Sequence, residues 1–79
     1  MQTQRSYSPE TVDAAVMGLL LDERFDLWAV TEVEREIGGV VVVADSLNRL
    51  QAVGLVHRVE GAFVKATRAA LYLNRLETA

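Results

Sequence analysis

Histidine, cysteine and clustered carboxylates are the side chains that most often carry catalysis or bind metals, and this chain offers little of each. It has one histidine, His57, and no cysteine. Neither a histidine–cysteine pair nor a two-histidine metal site can therefore form within one chain. Asp22, Glu23 and Asp26 bring three carboxylates together in sequence. Their spacing lacks the glycine and the terminal glutamate of a calcium loop, so they read as a solvated helix end. Gly38-Gly39 lacks the lysine and the Ser/Thr that a phosphate-binding loop needs. His57 reads as a polar residue of a strand. The residues point away from an enzyme, and no metal or cofactor is expected.

The charges are unevenly spread. The net charge of the 79 residues is −3 and the sequence pI is about 5.0. Residues 1–37 hold three arginines against eight acids, a charge of −5. Residues 38–79 hold Arg49, Arg58, Lys65, Arg68 and Arg75 against Asp45, Glu60 and Glu77, a charge of +2. The second half is thus mildly basic, which permits contact with a polyanion without demanding it.

These residues must be positioned by one small domain, since 79 residues leave no room for a second core. An apolar fraction of 51% with 24% charged residues marks a globular chain. So much apolar surface in so short a chain makes a partner subunit attractive. The absence of cysteine fits a reducing compartment. Met1–Ser6 is polar and lacks the apolar core of a signal peptide. The longest apolar runs, Met17–Leu21 and Val40–Ala44, are too short to span a bilayer. A soluble, cytoplasmic protein is expected, with no membrane partner.

Residues 1–7 read as a flexible tail and residues 8–79 as the domain. Ser8-Pro9-Glu10 predicts a helix start: Ser8 caps, Pro9 suits the first helical position, and Glu10 favours the positive dipole end. Val12, Ala15, Val16, Leu19 and Leu20 form its buried stripe, and the helix should stop near Asp22 to Arg24. Phe25–Ala29 is a connection or short strand, with Trp28 a core anchor. A second helix begins near Val30 or Thr31. Thr31-Glu32-Val33-Glu34 matches a capping box, whereas the shared face of Val30, Val33 and Ile37 argues for an earlier start. Gly38-Gly39 makes a sharp turn. Val40–Val43 has the composition of a buried strand. The spacing of Val43, Leu47 and Leu50 overrides that and predicts a third helix from about Val40 to Val53, with Val40 and Val43 on its buried face. Gly54 suits a left-handed helix end. Leu55–Val59 and Phe63–Thr67, joined through Gly61, then read as a two-stranded ribbon. Thr67 can cap a last helix with Ala69, Tyr72, Leu73 and Leu76 on one side.

Leu47-x-x-Leu50-x-x-x-Gly54-Leu55-Val56, with a ribbon closing at Thr67-Arg68-Ala69-Ala70, resembles the small prokaryotic winged helix-turn-helix transcriptional regulators. The resemblance covers roughly residues 9–76. It implies an α+β, mostly α fold: a three-helix core, a two-stranded β wing and an extra C-terminal helix. It also implies transcription regulation through double-stranded DNA, often as a dimer; the apolar excess of so short a chain, with Leu71, Tyr72, Leu73 and Leu76 near its end, predicts a homodimer through the first and last helices. The third helix would lie in the major groove with the wing on the phosphate backbone. Val42, Asp45, Asn48, Arg49, Arg58, Lys65 and Arg68 are then the expected DNA-binding residues. Asn48 can pair with adenine, Arg49 can reach guanine or phosphate, and valine methyls can meet thymine methyls. Arg58, Lys65 and Arg68 would hold phosphates. Asp45 departs from the pattern, because at a groove-facing position it repels phosphate and can accept only from a cytosine amino group.

A rival reading takes Val41, Val42, Ala44 and Ala52 as an exposed apolar strip, the mark of a protein-docking face. Domains of this fold also serve as protein–protein interaction modules, and fold alone does not fix function. The acidic pI favours this rival, and the basic wing favours DNA. An ordinary solvated surface is the plain alternative for the four cations.

Overall fold

The computed structural model describes residues 8–22 and 27–78. The expected tail at residues 1–7 lies outside them, as do Phe25 and Asp26. The elements run α1 (Pro9–Leu20), β1 (Trp28–Ala29), α2 (Val30–Ile37), α3 (Val40–Ala52), β2 (Val56–Val59), β3 (Phe63–Ala66) and α4 (Arg68–Thr78). The architecture is α+β and mostly helical, with four helices and a three-stranded antiparallel sheet among the described residues.

Local capping sets most boundaries. The Ser8 hydroxyl accepts from the Thr11 N–H at 3.2 Å, and Pro9 opens α1. That helix ends at Leu20, slightly before the expected stop, and its backbone closes with Leu21 N–H donating to the Met17 carbonyl. Two ends resemble each other chemically. Gly38 (φ 95°) terminates α2 with its N–H on the Glu34 carbonyl. Gly54 (φ 83°) ends α3 in a paired arrangement, Gly54 N–H to Gln51 O and Leu55 N–H to Leu50 O. Those two bonds satisfy carbonyls that the last turn would otherwise leave open, and only glycine enters this backbone region without strain.

The start of α2 corrects one expectation. No side chain caps it, and Thr31 lies inside the helix, so the Thr31–Glu34 capping box does not form. The first helical N–H, on Val30, instead donates to the Ala62 carbonyl beyond the ribbon turn, at 2.9 Å. This bond carries the β1–β3 pairing one residue further, into the start of α2.

The sheet order is β1-β3-β2. Trp28 pairs with Val64 and Ala29 with Phe63, while Val56, His57, Arg58 and Val59 pair with Ala66, Lys65, Val64 and Phe63. Directly paired residues share a face. Trp28, Val64, Val56 and Arg58 therefore turn inward, and His57, Lys65 and Phe63 turn outward. Val12, Val16 and Leu20 of α1 meet Val33, Val43, Leu47, Leu50, Trp28, Val56 and Val64 in one core. Trp28 is buried, in its expected role of anchor. Among the described residues no helix is long and apolar enough to cross a membrane.

Two expected core positions fall outside. Ala15 is exposed. Val40 is 62% exposed, so the buried stripe of α3 begins one turn later, as Val43, Ser46, Leu47 and Leu50. On α4 the buried residue is Ala70, at 4%, whereas Ala69, Tyr72, Leu73 and Leu76 are exposed. The helix is short and touches the body chiefly through β3, so its larger apolar groups find no surface within the chain.

Candidate functional site

Helix α3 buries Val43, Leu47 and Leu50, so a rotation of about 100° per residue places Val41, Asp45, Asn48 and Ala52 at the centre of its outer face. All four are exposed. Val42 and Arg49 lie on the flank that turns toward α1. Val42 helps line a groove of about 240 Å³ with Thr11, Val12 and Ala15 of α1 and Ile37 and Gly39 of the α2–α3 turn. Among the described residues Val41 is the most exposed large apolar one, at 71%.

The opposite flank meets the ribbon. Arg58 stands on the inner face of β2, half-buried, and its Nη2 donates to Asn48 Oδ1 at 3.5 Å. That is the outer limit of a hydrogen bond, so it orients the two groups more than it stabilises them. Lys65 projects from the outer face beside His57. The ribbon thus separates Arg58 from Lys65. Arg68 is the first residue of α4 and is exposed. It follows Thr67, whose hydroxyl accepts from the Ala70 N–H and donates to the Gly54 carbonyl. One threonine therefore caps α4, as expected, and also fastens the ribbon's end to the end of α3.

Arg49 is placed differently from the rest. Its Nε and Nη2 donate to Asp13 Oδ2 and Oδ1 at 3.1 and 2.8 Å, a two-pronged bond to α1. The Ser46 hydroxyl, one turn before Arg49 and fully buried, donates to the same Oδ1 at 2.6 Å. The Arg49 hydrogen bond above all, with help from Ser46, holds the Asp13 carboxyl below its ordinary pKa against the opposing effect of burial. Asp13 in turn raises the Arg49 pKa, and Asp45 and Glu10 add to the effect through space. Ser46 and Asp13 were not read as site residues from the sequence. Ser46 could have been found, since it interrupts the apolar stripe between Val43 and Leu50 at a buried position. Asp13 carries no such signal, because its partner lies 36 residues away.

No group of three or more His, Cys, Asp or Glu residues that could hold a metal ion occurs among the described residues. Glu23 and Asp26 lie outside them. The surface expected to bind thus has four cations in unlike settings, one of them bound to an acid, beside an amide and an exposed apolar strip. No protein-family model, curated protein or solved structure matches the chain.

Proposed function

We propose that the chain is a winged-helix domain that binds double-stranded DNA and regulates transcription as a homodimer. The observation that carries this reading is the joint surface of α3 and the ribbon. The order α1, β1, α2, α3, β2, β3 with β1 against β3 is the arrangement expected of that fold. Within it Arg58 reaches across to Asn48, so an amide suited to base edges and a cation suited to phosphate sit side by side. Lys65, on the other face of the ribbon, and Arg68, at the start of α4, are further exposed cations. Asn48 is the base reader, Val41 and Val42 are suited to thymine methyls, and Arg58, Lys65 and Arg68 hold the backbone.

The dimer rests on α4. It exposes Tyr72, Leu73 and Leu76, and Leu73 with Ala70 lines a groove of about 190 Å³ against Met17, Leu21 and Leu55. Ala69, Tyr72 and Leu76 share one exposed face of α4, so a two-fold pair of these helices can bring that face together from both copies. One patch then serves both copies, as a two-fold interface requires. Light scattering at micromolar concentration should give twice the chain mass, and a monomer mass removes this part.

Random duplex at low and high salt tests the DNA reading. Three cations per chain make six phosphate contacts per dimer, so log affinity should fall with log salt at a slope of about −5. No retardation at low salt eliminates DNA binding.

A second reading has its own observation. Val40 and Val41 are largely exposed and Arg49 is neutralised by Asp13, which together suit a protein-docking module. Under that reading Val41→Asp abolishes capture of the partner protein, because a charge would be desolvated without a mate, while duplex affinity is negligible throughout.

A further inference from the structure

We infer that Asp13 of α1 determines what α3 can read, by withholding Arg49 from the nucleic acid. The inference rests on the DNA-binding reading and deepens it. An exposed arginine–carboxylate pair is ordinarily weak and easily exchanged for a phosphate. This one differs in three respects. The guanidinium is gripped through two nitrogens, which fixes its direction as well as its distance. The carboxylate is itself anchored by Ser46, a fully buried donor on the same helix as Arg49. Asp45 and Glu10 also act on Arg49, so three acids compensate it where a phosphate would have to compete.

Arginine on a recognition helix is the usual reader of guanine, through O6 and N7. With Arg49 tied to α1, the polar side chains left at the centre of the outer face are Asp45, which repels phosphate, and Asn48, whose amide matches adenine. Asp13 is thus a positioning residue: it touches no nucleotide and acts through Arg49. Phosphate affinity falls to Arg58, Lys65 and Arg68, and Asp13 with Arg49 forms a silent pair.

Asp13→Asn separates the alternatives, because asparagine keeps a carbonyl for the Ser46 hydroxyl while giving up the charge that holds Arg49. Measured on random duplex, this variant should steepen the salt dependence by about one per chain. That corresponds to about threefold more loss of affinity per released arginine between 50 and 200 mM salt. Asp13→Asn combined with Arg49→Gln should return the slope to that of the wild type. Arg49→Gln alone, at an exposed position that does not threaten folding, should leave the slope unchanged, even though the uncovered Asp13 lowers affinity. Site selection from randomised duplexes should give adenine opposite α3 in the wild type and add guanine in Asp13→Asn.

A slope reduced by about one per chain in Arg49→Gln would mean that Arg49 already grips phosphate, and overturns the inference while leaving DNA binding intact. An unchanged slope in Asp13→Asn overturns it likewise. If wild type and all variants fail to bind at low salt, the DNA reading falls and takes this inference with it.

Discussion

Helices α3 and α4 carry similar apolar side chains at helical spacing, yet one is pinned into the core and the other stands almost clear of it. From α3, Val43, Leu47 and Leu50 are buried, and the charged flank is tied to α1 through Ser46, Asp13 and Arg49. From α4, Ala70 alone is buried, and Leu71, Tyr72, Leu73 and Leu76 remain open. A period of three to four residues says that a face wants covering. It does not say whether the cover comes from the same chain. Helix α3 has α1, α2 and β2 around it, whereas α4 follows the last strand and meets little besides β3.

Leucine truncation should break this comparison most sharply. Leu47→Ala removes a fully buried side chain and should destabilise by about 2–5 kcal/mol in urea unfolding. Leu76→Ala, at 55% exposure, should stay within about 0.5 kcal/mol when the protein is dilute. If a second copy covers α4, the cost of Leu76→Ala grows with protein concentration while that of Leu47→Ala hardly changes. Similar costs at both positions would mean that α4 packs within its own chain.

The next effect belongs to the flank of α3. Asp13→Ala leaves the buried Ser46 hydroxyl without its acceptor and should cost about 1–3 kcal/mol. The same group sets a pH dependence. Its carboxyl is held below its ordinary value, mainly by Arg49, so the folded state binds the Asp13 proton more weakly than the unfolded chain does. The stability from this ionisation is fully present above the ordinary carboxylate range and is lost as pH falls through the lowered value. Wild type should therefore lose its advantage over Asp13→Asn as pH falls through the ordinary carboxylate range and below it, as thermal unfolding across that window would record. A constant gap between the two proteins over the window would mean that the charge contributes nothing.

Thr67→Val sharpens the comparison at the junction, because Thr67 serves the ends of both helices. It removes the α4 cap and the bond to the Gly54 carbonyl together, and should cost about 1 kcal/mol, the usual size for a lost cap. Hydrogen exchange should speed up at the start of α4 and leave the middle of α3 unchanged. Equal acceleration in both helices would show that the threonine supports the whole domain.

These outcomes bear on what was legible in the sequence. Ser8, Gly38, Gly54 and Thr67 act on backbone groups a few residues away, and each boundary they mark could be read from residue type alone. The valine run was resolved correctly into a helix start because Leu47 and Leu50 outweigh local strand preference. Reading fails where the partner is distant. Helix α2 starts at Val30, whose N–H the sheet holds through the Ala62 carbonyl, so Thr31 caps nothing, and Arg49 turns from the outer face to Asp13. Val40 fails for the related reason that a stripe continues in the sequence after its covering surface has ended. Of the expected interface residues, Asp45, Asn48, Lys65 and Arg68 are exposed, Arg58 is half-buried against Asn48, and Val42 lines the groove with α1. Which of them meets DNA depends on a partner that no spacing encodes.

The smallest effect lies at the ribbon tip, where Glu60 and Gly61 both have positive φ, at 55° and 75°. Glycine adopts that region freely, but a glutamate must bring its Cβ close to backbone atoms. Asparagine tolerates the left-handed region better than most residues, because its short side chain bonds locally to the backbone. Glu60→Asn should therefore stabilise the domain by about 0.5–1 kcal/mol, of the order of the left-handed strain that it relieves. The substitution also removes an acid from the end of the ribbon, so under the DNA reading it should tighten non-specific duplex binding at low salt and lose that advantage at high salt. Glu60→Gln keeps the strain and drops the charge, which separates the two contributions. Stability should rise in Glu60→Asn but not in Glu60→Gln, whereas low-salt affinity should rise in both. A gain in affinity confined to Glu60→Asn would mean that the backbone of the tip, rather than its charge, governs how the ribbon approaches the duplex.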